Sequence, residues 1–236
     1  MSLSHRERVQ LALSRRQPDR TPVDMMGNAS MLLDVTYLRL RDYLGLSSIP
    51  PLRAGTSANY YDERILEHFG VDFRRVFLKK GAGNTIVNHD DDTFTDAWGV
   101  RSRNVGIFVN AVDHPLRYAS TLDDVEAYPW PTAAGLHSAE GVRDAAYRLY
   151  HATDYAVVAR NPLSPGFLDR GCNLMGMAEF FMLMVDAPEV ADAMLDRILE
   201  IYMGVYRLFL EEAGPYVQMV EVADDLGAAR SLLISP

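Results

Sequence analysis

Two adjacent carboxylates, Asp224 and Asp225, are the residues of this chain whose type and position best suit chemistry. They follow Tyr216-Val-Gln-Met-Val-Glu-Val-Ala, an apolar run that predicts a buried strand, and they precede a glycine-containing loop. In sheets built from alternating strands and helices, the C-terminal tip of a strand is where ligands and catalytic groups are placed. Neighbouring like charges raise the pKa of one partner, which suits general acid–base work. An Asp pair before a turn also fixes loops, so a purely structural role is the competing expectation. Asp224 and Asp225 are the expected catalytic residues. Glu221, inside the same strand, either faces the ligand side or pairs with a helix residue.

Substrate-binding candidates come from the ends of other strands. Asp24, Gly27 and Asn28 end or follow Thr21-Pro-Val-Asp-Met-Met26, read as a short first strand. Arg160 and Asn161 follow Tyr155-Ala-Val-Val-Ala159, whose unbroken apolar character marks burial on both faces, as in parallel sheets. Arg160 suits an anionic substrate group, and equally an ion pair with Asp224 or Asp225.

Other clusters read as structural. His89-Asp-Asp-Asp92 matches no calcium-loop spacing and is a solvated turn. His114 and Trp98 are expected to be structural. Met175, Met177, Met182 and Met184 are core filling, and Cys172 is a small buried hydrophobe. Gly81-Ala-Gly83 lacks the helix that a phosphate loop requires, and neither a Gly-x-Ser-x-Gly elbow nor a His-Glu-x-x-His pattern occurs.

The elements that must position these residues follow from caps and periodicity. Ser4 with Glu7 three residues on predicts a capping-box helix over 4–14. Helices are expected over 31–44, stopped by Gly45, and up to Phe69-Gly70, with a strand over 71–78. Residues 84–115, rich in Thr, Val, Asp and Gly, predict a β-hairpin insertion. Thr121 caps a short helix, 138–151 is helical, and helices over 176–185 and 188–212 precede the last strand. That makes four parallel strands in an α/β fold. The expectation is one domain over 1–236, the N-terminal portion of a (β/α)8 TIM barrel, incomplete because the last strand has no following helix to cover it.

Charge and composition narrow the partners. A net charge of -9 without a Lys/Arg cluster excludes a nucleic-acid or anionic-membrane surface. No run is apolar and long enough to span a bilayer, and a single cysteine excludes an internal disulfide. A cytoplasmic protein acting on a small-molecule substrate is expected, with no nucleic acid and no membrane.

Three ordered motifs carry a resemblance: RERVQLALSRRQPDRTPVD at the start, DAWGV with VDHPLRYASTLDDVEAYPWP in the middle, and EVADDLGAARSLLISP at the end. Together they resemble the uroporphyrinogen decarboxylase superfamily over the whole chain. The resemblance implies a (β/α)8 barrel whose C-terminal part is absent here. Where the decarboxylase itself has an Arg-Gln-Ala-Gly-Arg loop, this chain has Asp24-Met-Met-Gly-Asn-Ala-Ser30. Where it has an Asp in Ser-Asp-Ile-Leu, this chain has Val76-Phe-Leu-Lys-Lys80.

Both departures turn the resemblance toward the methyltransferase-like branch. That branch implies methyl transfer from a corrinoid protein to a zinc-activated thiol, and a homodimer. Its His and Cys zinc ligands fall beyond Pro236, so no cofactor is expected within this segment. The alternatives are a uroporphyrinogen decarboxylase whose arginines lie elsewhere, and a truncated, non-catalytic binding barrel.

Overall fold

The computed structural model describes residues 3–25, 27, 30–46, 62–106 and 108–234. Helices α1 (His5–Leu13), α2 (Asp34–Tyr43) and α3 (Glu63–His68) precede strand β1 (Phe73–Val76). The short strands β2 (Lys79–Lys80), β3 (Val87–Asn88), β4 (Thr93–Thr95), β5 (Arg101–Val105) and β6 (Phe108–Asp113) follow. Next come α4 (Leu122–Ala127), α5 (Ala133–Leu136), β7 (His137–Ser138), α6 (Val142–Ala152) and β8 (Ala156–Ala159). Helices α7 (Phe167–Met175), α8 (Met177–Asp186) and α9 (Pro188–Ala213), a 3-10 turn and β9 (Met219–Val220) complete the order.

Local chemistry explains the helix boundaries. Ser4 and Glu7 close their capping box on α1, and Thr121 does the same with Asp124 on α4. Gly45 and Gly70 take positive φ just beyond α2 and α3, where a side chain would be strained.

The fold is mixed α/β, with no closed barrel among the described residues. The chain divides into two compact units. The first comprises Met1–Lys79, Ala139–Pro162 and Phe209–Val222, and the second Lys80–Ser138, Leu163–Leu208 and Ala223–Pro236.

The first unit is built on a parallel sheet in the order β1-β8-β9. Three strands stand where four were expected. Residues 21–25 run extended but form no ladder, because Pro22 has no N–H and Val23 donates its N–H to the Asp72 side chain at 2.7 Å. A single backbone bond, Asp72 N–H to Val23 O, ties this segment beside β1. The expected closing strand contracts to β9, and Val222 is 71% exposed rather than buried. Its pairing ends where β8 ends, with Glu221 N–H donating to Ala159 O. The apolar core joins Val9, Tyr37, Ile65, Leu66, Phe73, Ala156 and Val158. Each fully buried large side chain of this kind is worth about 1.5–3 kcal/mol.

The second unit holds a four-stranded antiparallel sheet, β3-β4-β5-β6, a larger excursion than the expected hairpin. It also holds α7, a helix that the sequence pattern did not announce. Gly166 precedes α7 without a side-chain cap, and Gly171 interrupts its propensity because a Cβ there would strike the Phe180 ring.

At the amino end of β1 lies Asp72, whose side chain is wholly buried. Its Oδ1 accepts from Arg8 Nη1 at 2.6 Å and Arg20 Nη2 at 2.8 Å and lies 2.7 Å from His5 Nδ1. Its Oδ2 accepts from Arg20 Nη1 and from Val23 N–H, each at 2.7 Å. Burial pushes the Asp72 pKa up, but the bonds from Arg20, Val23, His5 and Arg8 outweigh it and hold the carboxyl below its usual value. A depressed folded pKa stabilises above the unfolded value, and that stability is lost as pH falls through the folded one. Asp72→Asn should therefore cost about 3–5 kcal/mol near neutrality. In urea titrations taken down to about pH 2, the variant should also lose part of the acid-induced decline of the parent. An unchanged midpoint at neutral pH would contradict this account.

Candidate functional site

Strand alternation builds a charged edge from an apolar face in the first unit. Register sets Phe73 opposite Ala156, Arg75 opposite Val158, and Val158 opposite Met219, so these side chains share one face. Two residues further along, the same alternation brings Arg160 and Glu221 onto that face. The face begins apolar and ends ionic where the three strands reach their carboxyl ends.

Arg75 and Arg160 have side chains only 2% and 3% exposed. Arg75 grips Asp24 with both ends of its fork, Nη1 to Oδ1 at 2.9 Å and Nη2 to Oδ2 at 2.7 Å. Its Nε lies 3.6 Å from Glu221 Oε2. The same Oε2 accepts from Arg160 Nη1 at 2.9 Å and from Asn161 N–H at 3.3 Å. Glu221 is thus the joint between the ends of β1, β8 and β9. Gly27 closes the assembly: a Cβ there would run into the Arg75 guanidinium and lie 3.0 Å from Asp24 Oδ2. Close backbone approach requires glycine at this position.

Asp24, Gly27, Arg160, Asn161 and Glu221 therefore meet at one edge. Asn28 lies outside the described residues. Glu221 pairs with arginines of neighbouring strands rather than with a helix residue. It meets Arg160 in the role that the sequence offered to Asp224 or Asp225. Arg75 was missed, although its signal was present: an arginine inside the apolar strand Val71-Asp-Phe-Arg-Arg-Val-Phe-Leu78 needs a buried partner. Guanidinium groups stay charged at any working pH, so this edge suits fixed ion pairing rather than moving protons.

Asp224 and Asp225 belong to the second unit. They lie beyond the end of β9 rather than at its tip, since the strand stops at Val220. Asp224 supplies the cap that Gly166 cannot give α7. Its Oδ2 accepts from Leu168 N–H at 2.6 Å and its Oδ1 from Asp169 N–H at 3.4 Å. A third donor, Asp225 N–H, reaches Oδ1 at 3.0 Å. A Cβ on Gly166 would collide with this carboxylate, so the absent side chain is the condition for the distant cap. Burial, then Asp225 and Asp224, push the Asp169 pKa up. Cys172 is pushed up to about 11 by burial and by Asp169 and Asp224, which keeps it a thiol at neutral pH.

Among the described residues, no group of three or more His, Cys, Asp or Glu side chains is arranged to hold a metal ion. His5 lies against Asp72, His89 bonds Thr95, and His114 bonds the Asn173 carbonyl. These residues do not fit a zinc centre. Of the methionines expected in the core, Met175 is buried, whereas Met177 and Met182 are exposed on α8. No helix among the described residues is long and apolar enough to cross a membrane.

No protein-family model and no curated protein sequence matches the chain. In fold it is similar to a solved methyltransferase from Methanosarcina mazei, with a TM-score of 0.52 and 15% identity. The superposition covers 98% of this chain and 62% of that one, so the chain spans less than two thirds of its neighbour's length.

The two acidic positions should behave differently. Glu221→Ala removes the largely buried carboxylate that Arg160 Nη1 and the Asn161 N–H reach and should cost about 3–5 kcal/mol in urea unfolding. Asp224→Ala removes a cap and should cost about 1 kcal/mol, with faster hydrogen exchange confined to the first turn of α7. Equal losses from the two substitutions would contradict this division.

Proposed function

We propose that this chain is the N-terminal part of a (β/α)8-barrel enzyme of the uroporphyrinogen decarboxylase superfamily, in its methyltransferase-like branch. Two things support the reading: the ordered sequence motifs, and a fold similar to that of a methyltransferase over nearly the whole chain. The observation that carries it is the convergence of Arg75, Arg160, Asp24 and Glu221 where parallel strands end, the edge at which barrels place substrates.

In this reading the full-length protein is a cytoplasmic homodimer that moves a methyl group from a corrinoid protein to a small thiol. Zinc, held by ligands from beyond Pro236, would supply the acceptor as a thiolate. The described residues provide no zinc site, so their part is to bind and orient. Arg75 and Arg160 hold an anionic group of the substrate, and Glu221 keeps the two guanidiniums aligned. The partly exposed Asp24 gives way to the incoming anion. Asn161 fixes the chain after β8 through its N–H to Glu221. Asp224 anchors α7, with the exposed Asp225 beside it.

The test is incubation of the full-length protein with methylcobalamin and a panel of small anionic thiols, read by cobalt absorbance and by the methyl thioether formed. Enzyme-dependent demethylation is expected, and Arg160→Met should lower kcat/KM by about a hundredfold through loss of anion binding. Conversion of uroporphyrinogen to coproporphyrinogen instead would move the protein to the decarboxylase branch. A folded protein inactive in both assays would make it a binding barrel.

A further inference from the structure

The second unit contains a cavity of about 280 Å3 that the proposed methyl transfer does not use. Its floor is the antiparallel sheet. Register sets Phe94 opposite Ser102 and Ser102 opposite Ala111, which places the three side chains in one row on one face. Pro165 and two α7 side chains, Arg170 and Asn173, form the facing wall.

Arg170 is the unusual member, being 96% buried yet lining the cavity. Its guanidinium is fixed on three sides: stacked 4.4 Å over the Trp98 ring, bonded through Nη2 to Ser164 O at 2.9 Å, and through Nε to the Tyr202 hydroxyl at 3.4 Å. Nη1 alone has no acceptor within hydrogen-bond length among the described residues. Its ion-pair partner, Asp96 Oδ2, stands off at 3.6 Å. The other Asp96 oxygen is occupied by the N–H groups of Trp98 and Val100 at 2.9 and 3.0 Å. The Ser102 hydroxyl and the Asn173 amide also line the cavity, and neither is hydrogen-bonded to another described residue.

A rigid donor in Arg170, a rigid acceptor in Asp96 and two adaptable polar groups above an apolar floor are the makings of a small-molecule site. The charges cancel, so a net anion or net cation would leave either the partly exposed Asp96 or the buried Arg170 without its counter-charge. We propose that this cavity binds a small net-neutral molecule that carries an acceptor beside a donor on a short apolar body. An amino-acid zwitterion and a primary carboxamide both have this head group. The acceptor takes the Arg170 Nη1 protons, the donor meets Asp96 Oδ2, and the apolar body lies on Phe94 and Ala111. This proposal does not depend on the methyltransferase reading.

The probes are L-valine, isobutyramide, isobutyrate and isobutylammonium, four similar branched bodies with different heads. Each is titrated into the protein at millimolar concentration while the Trp98 indole N–H signal is followed by NMR. Saturable shifts are expected with valine, isobutyramide or both, which separates the zwitterion from the amide. The two singly charged probes should bind about tenfold more weakly or worse, the cost of one unmet polar partner. Ser102→Val fills the floor with a residue that strands favour, and it should abolish the shifts while leaving the melting temperature unchanged. The proposal is overturned if no probe saturates, if all four bind alike, or if Ser102→Val binds as the parent does.

Discussion

Burying a charge that cannot be neutralised constrains everything around it. Arg75 and Arg160 lie almost wholly out of water, and a guanidinium does not shed its proton to relieve the desolvation. Each must therefore meet a carboxylate at hydrogen-bonding distance, and those carboxylates come from segments far apart in sequence. Asp24 must return to the end of β1, where Gly27 packs so close to the Arg75 guanidinium that a side chain there would displace it. Glu221 must reach Arg160, which fixes how β9 docks on β8. Three parallel strands end together because two buried cations require it.

The opposite end of β1 obeys the same rule with the sign reversed. There the buried group is Asp72, and Arg8, Arg20 and His5 gather around it. The two ends differ in access. Asp72 is sealed, whereas Asp24 is 38% exposed and Glu221 15% exposed. A wholly buried carboxylate serves stability, and under the proposed function the partly exposed Asp24 is the one that yields to a ligand anion. Stability at the amino ends of the strands and binding at the carboxyl ends is the division that the proposed function assigns to this sheet.

Features governed by neighbouring residues were legible in the sequence. The capping boxes at Ser4 and Thr121, the glycines that stop α2 and α3, the apolar strand β8 and the Pro188 start of α9 all formed as written. What failed depended on distant partners. The segment before Asp24 looks like a strand, yet Asp72 takes the Val23 N–H that a ladder would use. Helix α7 was invisible because its cap is Asp224, far downstream, and because packing against Phe180 dictates Gly171. The strand ends of the candidate edge were read as lying together, but not the ion pairs that join them. Arg75, which joins two of its acids, was passed over because an arginine in a strand announces a partner without naming it.

The central claim is that Glu221 orders the buried arginines into one assembly. A double-mutant cycle between Arg160 and Glu221, using Arg160→Met, Glu221→Gln and the pair in urea unfolding of the protein, tests it directly. The account predicts a coupling energy of about 2 kcal/mol, because the two side chains share a largely buried, charged hydrogen bond that either change alone removes. Effects that add to within about 0.5 kcal/mol would mean that the two side chains act independently, and would contradict the account.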